Sequence, residues 1–473
     1  MILLASWNMA ITLRVLPHRG PLGRSLRWLL GLGAAGVGPF LLAQSGSLDP
    51  TFNPGTGVTN TVESIAVQSD GRIVLGGDFS SFNGMARTNV VRLNPDGSAD
   101  TNFVPGSAVG SSSLGVYAVA LQSDGKVVLG GNFTGALGTN LLRLNTNGAV
   151  DSSFAAATDD AVNALVVQTN GSIVIGGFFT QANGAPRTGI ARLNTSAGLD
   201  ASFNPSLAGG SSAVYGLALQ SDGKIVVAGR FTSVNGTPTT NIARLNTNGS
   251  LDTTFQPVSV TGQFPAFYAV AVDGQGRALA AGDFSSVNGV THTNLVRLNA
   301  DGTLDATFSP AAGTDAYVLS IAVQSDGKIL VGGLFTFVNG TPRNYLARLN
   351  ADGTLDASFV PGSGPNYLVY SLAVQSDCKV LVGGAFTQFN GTPRGGIARL
   401  QNLPQLVNPL FSNSVFNVSI STVAGQNYIL QLKNSLTDIV WMALPSVPGD
   451  GTLKTLTDPS ATAGRRFYRV QVQ

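Results

Sequence analysis

One unit of about 51 residues recurs seven times, and this periodicity limits the possible folds more than any other feature of the chain. Copies begin at Val62, Val116, Val162, Val214, Phe267, Val318 and Val369. The same turn carries Gly71, Gly125, Gly171, Gly223, Gly276 and Gly327, with Cys378 in the seventh copy. Each copy reads as four short strands, here called A to D. In Val318–Phe359 these are SIAVQ, KILVGGLF, YLARLN and TLDASF. Ser-Asp-Gly and Ala-Asp-Gly turns, with a longer Asn-Gly loop, separate them. Composition agrees: 59 Gly, 11% charged residues and a single Glu, Glu63, make a poor helix former. A hydrophobic fraction of 43% excludes a disordered chain.

Four strands per repeat fit a propeller blade or a rung of an open solenoid, and closure separates the two. The seventh copy ends after Arg399-Leu400 without its strand D. The missing strand stands at the other end, as Ser47-Leu48-Asp49-Pro50-Thr51-Phe52. A solenoid has no use for such a permutation. The expected fold is therefore all-β: a seven-bladed propeller of four-stranded blades, with the N-terminal strand closing the last blade. The repeat VQSDGKILVGG…F…NG…RLN.DG..D..F resembles the delta-sixty-type repeat β-propeller family over Ser47–Leu400. The resemblance implies a secreted bacterial protein and implies no activity.

Several residues recur once per blade. Phe79, Phe133, Phe179, Phe231, Phe284, Phe335 and Phe386 follow the glycines of strand B; Phe52, Phe103, Phe154, Phe203, Phe255, Phe308 and Phe359 end strand D. Sevenfold recurrence marks core between blades rather than sugar-stacking rings. Arg92, Arg143, Arg192, Arg244, Arg297, Arg348 and Arg399 recur in strand C. Asp100, Asp151, Asp200, Asp252, Asp305, Asp356 and Asp49 recur in strand D. Hairpin register sets Arg92 opposite Asp100 and Arg348 opposite Asp356, so one structural ion pair per blade is expected.

The A–B and C–D turns share one face, rich in Asp and offset by Arg72, Lys126, Lys224, Arg277, Lys328 and Lys379. The other face carries Arg87, Arg187, Arg343 and Arg394 in Asn-Gly-x-x-Arg loops, with Thr239 and His292 in the same slot. These six are the candidate ligand residues, since loops on a rigid scaffold carry function. Asn-x-Asp-Gly turns lack the dense acids of a calcium loop. Past the N-terminal segment His292 is the only histidine, so neither a histidine metal site nor a Ser-His-Asp triad is expected. Carboxylate chemistry is open to Asp alone, and Asp159-Asp160 read as linker. No catalytic, metal or cofactor residue is assigned.

Residues 1–43 place Arg14, Arg19, Arg24 and Arg27 before an apolar run, Trp28 to Leu42, that ends Leu41-Leu42-Ala43. The run is short for a membrane span and reads as a signal peptide. The remainder holds 23 basic and 25 acidic residues, a net charge of −2, which gives no reason to expect nucleic acid. Cys378, the one cysteine, sits where six copies hold Gly, so a turn that is either strained or relaxed into a different type, and solvent-accessible in both cases, is expected there. Residues 44–402 form the propeller. Residues 403–473 read as five short strands of a small β-sandwich, with Trp441, Phe467 and Tyr468 in its core. The expected function is a secreted, monomeric, non-catalytic binding or scaffold protein for an extracellular glycan or protein. The alternative is an enzyme acting on extracellular polysaccharide through Asp residues.

Overall fold

The computed structural model describes residues 7–11 and 45–472, apart from 107–108, 110–114, 136, 210–211, 311–312, 403–405, 413, 423–425, 436, 451–452 and 462–465. The chain divides into two units, Gly46–Asn402 and Met1–Ser45 with Leu403–Gln473.

Seven blades make up the first unit. In blade one, Thr61–Val67, Ile73–Asp78 and Val90–Leu93 pair antiparallel in that order as strands A, B and C. The other A strands are Val116–Leu121, Val162–Val167, Ala213–Leu219, Ala266–Val272, Val318–Val323 and Val369–Val374. Strand D is shorter than its sequence promises. It is a single bridge, such as Leu93 with Ala99, before the chain turns at Asp100. The Asn-Gly loop after strand B makes an outer hairpin in six blades, such as Ser81–Phe82 with Met85–Ala86.

Each of seven apolar clusters draws on neighbouring blades; the one around Phe52, Val62 and Phe79 also takes Leu381 and Ile397 from blade seven. All fourteen recurrent Phe are buried, each stabilising the fold by roughly 1.5–3 kcal/mol. The Gly-Gly pair of strand B is set by close approach. A Cβ on Gly76 would stand 2.6 Å from Val116 of the next blade, and one on Gly77 2.0 Å from the Thr61 carbonyl oxygen. The ring closes as the permutation requires. The Asp49 N–H donates to the Arg399 carbonyl at 2.8 Å, and the Gln401 N–H to Ser47 at 2.8 Å. At the inner wall the Ser371 hydroxyl of blade seven accepts the Ile65 N–H of blade one at 3.1 Å.

Cys378 keeps the left-handed conformation of the glycines it replaces, with φ +65°. Its side chain is half-buried rather than accessible, because the turn packs against the chain at Asn402, whose Nδ2 donates to the Cys378 carbonyl at 2.9 Å. Burial, with Asp326 and Asp377 adding to it, pushes the thiol up to about 11, so the reactive thiolate is disfavoured. The strain of a Cβ at positive φ outweighs the extra flexibility of glycine in the unfolded chain. Cys378→Gly is expected to stabilise the protein by about 1 kcal/mol. A lower Tm in the variant would show that thiol packing outweighs the strain.

The second unit contains two antiparallel sheets sharing one core. One joins Leu406–Ser412, Val415–Ser421 and Leu453–Asp458. The other joins Trp7–Ile11, Phe467–Val472, Asn427–Lys433 and Met442–Pro448. Leu406–Ser412 and Trp7–Ile11 were not among the five strands read from the sequence. Tyr468 is buried and stacks on Phe416 at 4.1 Å between centroids. Trp441 is not core: it is half-buried beneath Arg469 and Lys433, 4.5 and 5.0 Å from its ring centre.

Candidate functional site

The recurrent Arg and Asp are accounted for by structure. In blade one, Arg92 Nε and Nη2 both meet Asp100 Oδ2, at 2.9 and 2.8 Å. Oδ1 instead accepts the N–H of Asn102 at 2.9 Å, so the contact is not a parallel fork. Arg92 Nη1 donates to the Thr146 carbonyl of blade two at 2.6 Å, and the guanidinium lies 4.5 Å over the Phe103 ring. Arg143, Arg192, Arg244, Arg297 and Arg399 make the same link to the following blade. Arg348 makes it through Asn402 Oδ1, because blade seven has no C–D turn of its own. The cations of the A–B turn also reach these acids: Lys126, Lys224 and Lys328 approach Asp151, Asp252 and Asp356 at 2.8–2.9 Å. Burial alone would raise these carboxyls. Hydroxyl and N–H donors with the cations overcome it and hold Asp49, Asp151, Asp252 and Asp356 well below the carboxylate range.

The six loop residues do not converge. Each lies in the outer hairpin of its own blade, where Arg87, Arg187, Thr239, His292, Arg343 and Arg394 close the hairpin neck through their backbone N–H. The hairpin tips fold over the outer edge: Asn183 Nδ2 reaches the Ala197 carbonyl of the C–D turn at 2.8 Å, and Asn339 reaches Gly353 at 3.1 Å. Arg87, Arg187, Arg343 and Arg394 each turn Nη1 onto the preceding carbonyl, at 2.7–3.0 Å. Thr239 and Arg187 are buried, and burial pushes the His292 imidazole down.

A different ring occupies the inner rim of the same face. Strand A bulges one or two residues after its start in every blade, between Val62 and Ser64 in blade one. The bulged residues are Glu63, Tyr117, Asn163, Tyr215, Tyr268, Leu319 and Tyr370, all half-buried. Bulges re-aim side chains and are frequent beside functional sites. The ring is not symmetric. Phe178, Tyr215, Tyr268 and Tyr317 form an arc of edge-to-face rings with centroid steps of 5.6, 5.4 and 6.0 Å. Glu63 lies between Tyr117 and Tyr370, raising both phenols beyond what burial does. Burial, with Asp78 adding, pushes Glu63 itself up to about 7.

Past the arc a cleft of about 630 Å³ opens between blades five and six, lined by Thr261, Gln263, Asp283, Ser285, Asp315 and Tyr317 among others. Asp315 is consumed by Thr336 and Phe337, whose donors lie at 2.7–2.8 Å. Burial raises Asp283. Among the described residues of the propeller, every exposed aromatic ring (Phe178, Phe264, Tyr317, Phe337 and Tyr367) belongs to a B–C or D–A connection on this face. One signal could have exposed the ring: in seven similar A strands, the position after the first apolar residue varies most in chemistry, between Glu, Asn, Leu and Tyr.

Glu63 supplies a pH test. Its folded-state value lies above the roughly 4.3 of an unfolded glutamate, so stability is lost as pH rises from there through about 7. Glu63→Gln, which imitates the protonated acid, is expected to match the wild-type Tm near pH 4 and to exceed it near pH 8. A Tm difference that does not grow with pH would contradict the assignment.

The family model described as Domain of unknown function (DUF5122) beta-propeller matches seven times, at 68–103, 122–154, 168–203, 220–255, 276–308, 324–359 and 375–402. The chain belongs to the DUF5122 β-propeller family. The seven bulged residues all fall outside its matched segments. No curated relative matches the chain. Similar solved structures include the WD40 propeller domain of Doa1, 13% identical over 76% of this chain and 95% of that one, TM-score 0.44. Virginiamycin B lyase from Staphylococcus aureus is 11% identical over 73% and 97%, TM-score 0.46. YCF48 bound to D1 peptide is 13% identical over 77% and 99%, TM-score 0.42. Likeness at this level carries no argument about activity.

Proposed function

We propose that the protein is an exported, non-catalytic binding platform that presents its B–C/D–A face to an extracellular ligand, in keeping with the delta-sixty-type resemblance of its repeat. The observation that carries the reading is the partition of chemistry between the two faces. One holds the Asp, Lys and Arg side chains that tie blades together, and the other holds every exposed aromatic ring of the propeller among the described residues. Rigid aromatic side chains supply contact area at low entropic cost, which suits recognition. Export rests on the Arg-rich, apolar leader ending at Ala43. Its removal would take away Trp7–Ile11 and leave Phe467–Val472 as a sheet edge.

Polysaccharide hydrolysis through Asp residues is the weaker reading. A general acid needs a raised carboxyl, and the strand-D acids that shift are held low by Arg and hydroxyl donors. Asp283 is raised, but Asp315, which lines the same cleft, is lowered and engaged. The test expresses the full chain, sequences the N-terminus of the exported form and assays soluble polysaccharides for new reducing ends. The expected product begins at Gln44 and releases none. Release abolished by Asp283→Asn would replace the platform with a hydrolase.

A further inference from the structure

We propose that the cleft between blades five and six, with the aromatic arc leading into it, binds an uncharged saccharide chain. The inference rests on the platform reading and assigns it a site and a ligand class. Three observations converge on it. First, Phe178, Tyr215, Tyr268 and Tyr317 step along the rim at 5.4–6.0 Å, comparable to the length of one pyranose residue. Rings at the two ends of the arc are open, Phe178 at 41% and Tyr317 at 40% exposure, so their faces are available to the C–H faces of a sugar. Second, the arc ends at Tyr317 in a cleft of about 630 Å³, large enough for a small ligand. Its lining mixes hydroxyl, amide and carboxylate groups with the rings of Phe284 and Tyr317, which suits a ligand that is apolar on its faces and polar at its edge. Third, Asp283 is half-buried in that cleft and has no hydrogen-bond partner among the described residues, whereas the equivalent Asp78 accepts from Asn60 at 2.8 Å and Asp315 is engaged. A partly desolvated carboxylate without a donor is poised to accept two adjacent hydroxyls.

The charge of the rim favours a neutral chain. Asp283 and Asp315 repel an anionic polymer, and Arg230, which ends strand B of blade four (Ile225–Arg230) beside Tyr215 and Tyr268, disfavours a strongly cationic one. Titration calorimetry on the intact protein with cellohexaose, xylohexaose, mannohexaose and chitohexaose tests the proposal. At least one hexasaccharide is expected to bind. Asp283→Asn and Tyr317→Ala are each expected to weaken it by about tenfold, the loss of one charged hydrogen bond or one stacked ring. Tyr317→Phe keeps the ring and is expected to retain binding, which separates loss of stacking from loss of folding. Arg394→Ala, on an outer hairpin, is expected to leave affinity unchanged. The proposal is overturned if no hexasaccharide binds, if hexalysine binds in their place, or if binding ignores both cleft variants. None of these outcomes, without turnover, disturbs the platform reading.

Discussion

Arg348→Met is expected to destabilise the propeller by about 3–5 kcal/mol, a large part of the stability of an ordinary domain. Arg348 and Asp356 are 2% and 5% exposed, and Arg348 Nε lies 2.7 Å from Asp356 Oδ2. The same guanidinium donates to Asn402 and Ser358 and covers the Phe359 ring at 4.7 Å. Its loss unties strand C from strand D and blade six from the end of blade seven. Lys328 Nζ stays 2.8 Å from Asp356, so the orphaned acid keeps one cation. Asp356→Ala is therefore expected to cost at least as much, since it strands a buried guanidinium. The double variant should lose little more than the worse single one. Blade three is the internal control. Its A–B turn has Ser172 in place of a cation, and Arg192 and Asp200 are 12% and 29% exposed. There Arg192→Met is expected to cost about 1 kcal/mol. The sign of the pH effect follows from the lowered acids. Their stabilisation is complete above the unfolded value of about 3.9 and is lost as pH falls through the folded values, about 2 for Asp200. Acid unfolding below about pH 4 should be shallower in Asp356→Ala. Denaturant melts that give additive losses for Arg348 and Asp356 would refute the coupling.

The scaffold was legible because it is written seven times. Sevenfold recurrence identified Phe52 and its equivalents as core, paired each Arg with its Asp, and showed that Ser47–Phe52 belongs to the last blade. The same averaging hid the candidate site. The bulge position holds Tyr in four blades but Glu63, Asn163 and Leu319 in the others, so it adds little to the repeat signal; the matched family segments skip all seven of these positions. Its orientation depends on a one-residue bulge in strand A, which alternation of apolar residues does not mark. The outer loops were misleading for a related reason. The Asn-Gly loops read as a ligand face, but Phe82, Val234 and Val338 in those hairpins are buried and fold the loop over the blade's edge. The cations of the A–B turn were read as offsetting the turn acids beside them; Arg72, Arg277 and Lys379 do meet those acids at 2.7–3.4 Å, but Lys126, Lys224 and Lys328 lie closer to the strand-D acids. Sequence adjacency found only the nearer half of that pairing.

Deleting residues 46–53 is expected to have the second large effect, because this segment alone completes blade seven. It removes Phe52, buried to 1% exposure, and Asp49, the partner of Arg399 at 2.7 Å and Lys379 at 3.1 Å. The lost burial and the stranded Arg399 together are on the order of 5 kcal/mol. The deletion also uncovers the backbone of Ile397–Leu400, which now bridges Leu48 and accepts from Asp49. An unpaired edge of that kind recruits another chain. The truncated protein is expected to melt at a lower temperature and to elute as dimers or larger species in light-scattering chromatography. A synthetic peptide of residues 46–53 added in trans should restore part of both properties, because it supplies the missing strand and carboxylate without altering the rest of the chain. A truncated protein that stayed monomeric with an unchanged Tm would show that the ring holds without its latch. The seven inter-blade cores would then be sufficient alone.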